Sequence, residues 1–300
     1  MPPPAAQTQS STHKLRNSFR SLFAAVTVAA ITISTAATEA ATVGYWNFEA
    51  ETFANADVGP NSLTLNTAGT GTTRVASPFT NPIPQTDAPN EWAASFDGSG
   101  NLLTQATGTT LNVQSFTIEA FIFADASPTD DNMYISSRWL ASNGQRSWAL
   151  GRATRESNTP GGTQNGLYLL VSGDGNETHI VGSGFVLDEK KQYYVAASFD
   201  HSSNTDDVTF YIQNLTDGGS LQSVTFSSGR TTVNNPSNSP VQIGSFSTSS
   251  GLWNGLIDEV RLSNTVLSEN QLLIVPEPSA YAMIGGLLAF GLVLLRRQRR

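Results

Sequence analysis

Apolar residues in this chain recur at every second position, and nowhere between its two ends do they sustain the three-to-four spacing of a long amphipathic helix. Phe116, Ile118, Ala120 and Ile122 fall on one side of an extended segment, and Thr117, Glu119 and Phe121 on the other. Successive side chains of a strand point to opposite faces, so this period demands a sheet with at least one buried face. The stretches Leu167-Tyr168-Leu169-Leu170-Val171, Tyr193-Tyr194-Val195-Ala196-Ala197-Ser198-Phe199 and Val208-Thr209-Phe210-Tyr211-Ile212 have the same β-branched and aromatic character. Asp97-Gly98, Asn143-Gly144, Gly161-Gly162, Gly173-Asp174-Gly175 and Asp217-Gly218-Gly219 supply turns between them. Residues 78–89 and 231–240, bounded by prolines or rich in Ser, Thr and Asn, read as loops. Many short strands at regular spacing predict an all-β chain folded as an antiparallel two-sheet sandwich.

The two ends follow different rules. Val275-Pro276-Glu277-Pro278 is followed by an uncharged apolar run, residues 279–295, and then by Arg296-Arg297-Gln298-Arg299-Arg300. At a rise of about 1.5 Å per residue the run spans roughly 25 Å, enough for a thin bilayer. An arginine cluster stays on the cytoplasmic side, which places the body across the membrane. The prolines block helix propagation and end the folded part. This tripartite tail resembles a PEP-CTERM sorting signal. The resemblance implies recognition in the inner membrane by an exosortase, a membrane transpeptidase that cuts near Pro-Glu-Pro and passes the body to the surface of a Gram-negative-type bacterium making extracellular polysaccharide. A plain tail anchor is the alternative.

At the other end His13, Lys14, Arg16 and Arg20 precede an apolar stretch, residues 22–33, and a small-residue segment with a cut site near Ala40. That is the pattern of a secretory signal peptide, with an uncleaved signal anchor as the alternative. The leading MPPPAAQTQS is unusual for one, and true translation starting further in would account for it. The expected organisation is signal peptide 1–40, sandwich 41–274 and sorting signal 275–300, with a transmembrane run 279–295 and a basic tail 296–300.

Removing both tails sharpens the charge. The chain has 16 basic and 24 acidic residues; the leader takes three basic and one acidic, the tail four basic and one acidic, which leaves a body of net charge −13. Such a surface repels nucleic acid and anionic membranes and attracts divalent cations. There is no cysteine, so disulfides, thiol nucleophiles and Cys-zinc sites are excluded.

Five pieces of the body, in order, resemble a laminin-G-like, concanavalin A-like jelly roll. They are Val43-Gly44-Tyr45-Trp46-Asn47-Phe48-Glu49, Ala94-Ser95-Phe96-Asp97-Gly98-Ser99-Gly100, Ser115-Phe116-Thr117-Ile118-Glu119-Ala120-Phe121, the pairing of Tyr193-Tyr194-Val195-Ala196 with Phe210-Tyr211-Ile212, and Trp253-Asn254-Gly255-Leu256-Ile257-Asp258-Glu259-Val260-Arg261-Leu262 followed by Leu267-Ser268-Glu269-Asn270-Gln271-Leu272. Phe121 stands where the family usually has tryptophan, and the hairpin lacks the usual histidine and the final Asp-Gly. The resemblance implies that Trp46 and Trp253 are core residues of framework strands.

Some sandwiches of this kind cleave polysaccharides. Retaining hydrolysis needs two carboxylates about 5–5.5 Å apart, hence two or four residues apart on one strand. No such strand is present. Asp258 and Glu259 are adjacent, so regular alternation predicts opposite faces for them and a structural role. His179 and His201 sit in loop contexts without a triad. A catalytic role is therefore not expected. Calcium is a candidate cofactor, because hard cations take several loop oxygens. Asp130 and Asp131 in one acidic loop, and Asp206 and Asp207 in another, are the candidate ligands, with ordinary solvated turns as the alternative. The pentraxin-type calcium site is not expected, because Ile243-Gly244-Ser245-Phe246-Ser247-Thr248 carries no carboxylate.

Sugar binding calls for aromatic faces beside polar groups. Tyr134, Trp139 and Trp148, around a loop with Arg138, Asn143, Gln145 and Arg146, are the candidates, although Trp148 with Leu150 reads as an inward-facing pair, for which a core position is the better fit. The expected role is a non-catalytic exported protein of the cell surface or extracellular matrix, binding polysaccharide or a surface protein. A structural surface protein without a glycan ligand is the alternative, and a polysaccharide-cleaving enzyme the remote one. The sorting residues are Val275, Pro276, Glu277, Pro278, Arg296, Arg297, Arg299 and Arg300. The implied partners are the exosortase, the inner membrane in passage, and no nucleic acid.

Overall fold

Strands with a period of two need pairing partners and cover on at least one face, and the chain meets both demands with two stacked antiparallel sheets. The computed structural model describes residues 42–277 apart from 56–57, 62, 105–108, 126–131, 141, 143, 154–163 and 247–249. In chain order the strands are β1 (Thr42–Trp46), β2 (Leu65–Ala68), β3 (Thr72–Ala76), β4 (Trp92–Asp97), β5 (Asn101–Thr104), β6 (Phe116–Ala124), β7 (Met133–Trp139), β8 (Arg146–Arg152), β9 (Gly166–Val171), β10 (His179–Val186), β11 (Gln192–Phe199), β12 (Val208–Asn214), β13 (Gln222–Phe226), β14 (Gln242–Ile243) and β15 (Asn254–Ser263). The first sheet runs β13-β12-β11-β6-β15-β4-β3, with β1 also paired to β15; the second runs β10-β9-β8-β7-β14-β5-β2.

The inner faces meet in one apolar core. Ile118, Ala120 and Ile122 of β6 enter it beside Val195 and Ala197 of β11 and Leu150 and Leu169 of the second sheet. Trp46, Trp148 and Trp253 are fully buried there, so the two framework tryptophans are core residues as the resemblance implies. Each large apolar side chain so buried contributes about 1.5–3 kcal/mol, which a chain without disulfides needs. The β11–β12 hairpin pairs Tyr193 with Asn214 through to Phe199 with Val208. The loops expected at 78–89 and 231–240 lie outside the strands, and the short helical turn near the end of the body is a 3-10 turn, Glu269–Gln271.

The first sheet is covered on its second face as well. Phe121, Tyr194, Ala196 and Tyr211 point away from the main core and pack under Phe79 and Ile83 from the loop after β3, and under Leu267, Leu272, Leu273 and Ile274 after β15. This explains why Phe121 is apolar on the supposedly polar side of β6. Packing persists to Val275, which is half-buried, and Pro276 and Glu277 are exposed. The outer face of the second sheet carries its own smaller cluster of Tyr134, Trp139, Ala149, Ala153, Tyr168 and Leu170, with Phe246 against it.

Candidate functional site

The buried strand carboxylates lie on the covered outer face of the first sheet. Glu119, in the middle of β6, is fully buried. Its Oε1 accepts from Arg261 Nε at 2.6 Å, and its Oε2 accepts from the Tyr194 hydroxyl at 2.5 Å and from Leu273 N–H at 2.9 Å. A single carboxylate thus ties together β6, β11, β15 and the C-terminal segment. Arg261 also donates to the Gln271 carbonyl at 2.6 Å.

Asp258 and Glu259 correct the expectation of opposite faces. Val260 and Ile257 both enter the main core, so two residues bulge out between them. The β15–β6 register shifts between Asp258 and Arg261, and Glu259 takes a left-handed φ of 52°. A bulge breaks the two-residue period. Ser77 donates to Asp258 Oδ2 at 2.8 Å, and the Tyr45 hydroxyl donates to Glu259 Oε2; both partners belong to the outer layer. Burial pushes the Asp258 carboxyl well above its ordinary range, and the Glu259 charge adds to this. Burial likewise pushes Glu259 up to about 8, against the hydrogen bond from Tyr45 that pulls it down. Glu259 Oε1 is buried without a partner, which suits a protonated carboxyl. Neither side chain is more than 1 % exposed, so the pair meets the protein rather than solvent.

The candidate aromatics divide. Trp148 belongs to the core between the sheets, its ring 5.6 Å from that of Phe116. Tyr134 and Trp139 share a cluster on the outer face of the second sheet, bridged by Phe246. Phe246 stacks on Tyr134 with centroids 4.4 Å apart and lies 5.2 Å from Trp139, while Tyr168 meets Tyr134 edge-on at 5.7 Å. Phe246 and Tyr168 were not singled out from sequence. Tyr134 and Trp139 are buried, at 7 % and 2 % exposure, so as placed neither offers a ring face to a pyranose. Arg138 points the other way. Its guanidinium donates to the carbonyls of Leu111, Ser239 and Pro236 and to the side-chain oxygens of Asn112 and Asn235. Burial draws its pKa down to about 10. It fastens two loops to the end of the sandwich.

Of the calcium candidates, Asp130 and Asp131 lie outside the described residues. Asp206 is exposed and its backbone N–H donates to Ser227 Oγ. Asp207 is buried and takes both the N–H (2.7 Å) and the hydroxyl of Ser228. Among the described residues no three His, Asp or Glu side chains converge as a metal site would require. Of the sorting residues, Glu277 Oε1 accepts from Gln85 Nε2 at 3.1 Å. Pro278, the apolar run and the arginines lie outside the described residues, as does the leader. Among the described residues no helix is long and apolar enough to cross a membrane.

Open hollows mark the surface of the described residues. One, of about 390 Å³, lies beside Phe53, Leu65 and Arg74; another, of about 270 Å³, lies between the free edges of the two sheets near Tyr193.

Comparison with known proteins agrees with this architecture. A family model described as the concanavalin A-like lectin/glucanases superfamily matches residues 96–273. Among solved structures, domain 4 of AbnA, a GH43 extracellular arabinanase from Geobacillus stearothermophilus in complex with arabinotriose, superposes with a TM-score of 0.52 at 11% identity, over 78% of this chain and 96% of that one. The botulinum neurotoxin serotype G binding domain gives a TM-score of 0.50 at 11% identity, over 78% of this chain and 50% of that one. At such identities the likeness is one of fold. No curated protein matches the chain in sequence.

Proposed function

The chain belongs to the concanavalin A-like lectin/glucanase superfamily, and from that premise we propose that it is a non-catalytic, exported glycan-binding protein of the cell surface or extracellular matrix. The observation that carries this reading is the fate of the strand carboxylates. Glu119, Asp258 and Glu259 are covered by the C-terminal segment and the loop after β3, and they hold Arg261, Tyr194, Ser77 and Tyr45. Groups so engaged hold layers together. General acid–base work needs carboxyls within reach of a substrate bond. The fold-level likeness to a domain crystallised with arabinotriose supports a glycan as the ligand class.

Export and sorting complete the proposal. The segment 1–40 acts as a signal peptide, and 275–300 as a PEP-CTERM signal read by an exosortase, which releases the body to the surface. Packing to Val275 and exposure of Pro276 and Glu277 support a processing point at the end of the folded part. Calcium remains a candidate cofactor through Asp130 and Asp131. The burial of Tyr134, Trp139 and Trp148 favours a second reading, a structural surface protein with no glycan ligand.

The test is binding of the purified chain to a glycan panel and to the host's exopolysaccharide, in calcium and then in chelator. Saturable binding supports the lectin reading, and loss in chelator assigns the cation a part. No binding to any glycan leaves the structural reading. Cell fractionation of wild type against a variant with Pro276 and Pro278 both changed to alanine tests sorting: retention of the variant in the inner membrane is expected, and unchanged release would refute it.

A further inference from the structure

We propose that the glycan site is the cleft between the free edges of the two sheets, and that its ligand is a neutral saccharide; this deepens the glycan-binding reading and rests on it. In a sandwich the edge strands face one another across a gap that no strand closes. Here β10 ends the second sheet and β13 ends the first. The hollow between them, about 270 Å³, is lined by Phe185 and Val186 from β10, Tyr193 from β11, Ile212 and Asn214 from β12, and Gln222 from β13, with Asp188 and Ser220 at its rim. That is just below the roughly 300 Å³ at which small-molecule sites begin, room for one or two sugar rings rather than a long buried chain.

Its chemistry is mixed in the way a sugar needs. A pyranose offers an apolar ring face and a belt of hydroxyls, so it is held by aromatic or aliphatic surface next to donors and acceptors. Phe185 is half-buried against the main core, and Val186, paired with Gly166 on the outward side, stands at the lip of the hollow, 43% exposed and one of the few large apolar side chains open to solvent among the described residues. Gln222 pairs with Ile212, an inward-facing position of β12, so it lies over the hollow rather than on the outer face. Gln222 and Ser220 are exposed, and their side chains make no hydrogen bond among the described residues. The Tyr193 hydroxyl accepts from Asp188 N–H at 3.2 Å, which leaves its own proton to donate. A free amide, a free hydroxyl and a carboxylate thus border an apolar patch, with Tyr193, only 3% exposed, beneath it.

Charge selects the class. The Lys191 ammonium sits 2.8 Å from Asp217 and 3.4 Å from Asp188, and no arginine lines the hollow. An anionic sugar would meet the Asp188 carboxylate with no free cation to offset it, whereas neutral hydroxyls can donate to it. Strand addition by a peptide is disfavoured at β10, whose pairing with β9 shifts between Gly182 and Val186 and whose Gly184 takes a φ of +74°. Such irregular edges resist further pairing.

The experiment titrates the full chain with neutral arabinan, glucan, galactan and mannan hexasaccharides, and with an oligogalacturonate, following affinity by calorimetry. It compares wild type with Gln222→Ala, Val186→Lys and the pair. Both positions of change are exposed, so folding is expected to be retained, with an unchanged melting temperature as the check. Ile180→Ser on the outer face of β10 is the control. Binding of a neutral hexasaccharide, weakened at least 10-fold in the double variant, unaffected in the control and absent for the galacturonate, is the expected result. Neutral binding that the double variant leaves intact overturns this site while the glycan-binding reading stands. Preference for the galacturonate overturns the neutral class. No binding by wild type overturns the reading beneath both.

Discussion

Buried charge governs this molecule at the scale of single residues. Glu119 is fully buried and Arg261 nearly so, and breaking a buried pair by removing one partner costs about 3–5 kcal/mol because the other charge stays behind. Arg261→Ala is therefore expected to lower the urea unfolding free energy by about 3 kcal/mol, and Arg261→Ala with Glu119→Gln by less than the sum of the two single changes. Additive losses in that double-mutant cycle would deny the coupling. Glu259 makes the pH prediction. Its folded-state pKa is about 8 against an ordinary value of 4.5. The folded state thus binds a proton that the unfolded state has lost anywhere between those values. The stabilisation is fully present below pH 4.5 and is lost as pH rises toward 8, with a slope of up to about 1.4 kcal/mol per pH unit for one proton. Asp258, shifted the same way, adds to it. Chemical denaturation at a series of pH values should show stability falling from pH 5 to 8, and Glu259→Gln should flatten the curve. An unchanged slope in that variant would assign the effect elsewhere.

At the scale of elements, the bulge in β15 carries the outer layer. Gly255 takes a φ of +132°, and a Cβ there would stand 2.0 Å from the Phe123 carbonyl oxygen. Gly255→Ala must displace β6 or unpair it, and a loss of at least 2 kcal/mol in unfolding free energy is expected. A loss within 0.5 kcal/mol would mean that the strand end shifts freely. This region also marks where the sequence stopped being readable. The alternation of Phe116, Ile118, Ala120 and Ile122 identified β6 and its inward face, because a two-residue period is local. Glu119 and Phe121 on the opposite face read as an outward side, and only the return of Leu272 and Leu273 across the sheet shows that face to be buried as well. Adjacency alone put Asp258 and Glu259 on opposite faces; a bulge is set by the partner strand and leaves no period to read. The same limit applies to Trp139, whose burial beneath Phe246 no local pattern announces. The edge cleft has no sequence signature, because Phe185, Gln222 and Tyr193 come from three strands that only the fold makes neighbours.

For the whole molecule, net charge and the chemistry of the cleft predict the same dependence on salt. The body between the two tails carries a net charge of −13. At low ionic strength that field reaches roughly 30 Å and repels polyanions before any contact forms, and at 0.15 M it reaches only about 8 Å. A ligand held by hydroxyl hydrogen bonds and ring stacking has no ions to release on binding, so its affinity has nothing for salt to screen. Affinity for a neutral oligosaccharide should therefore change less than two-fold between 20 mM and 500 mM sodium chloride, whereas retention on an alginate or heparin resin should be absent at 20 mM. Tight low-salt retention on such a resin, eluted by salt, would overturn this expectation. Salt-insensitive neutral binding with no polyanion retention would make the acidic surface a filter against anionic polymers, leaving recognition to uncharged groups at the open edge of the sandwich.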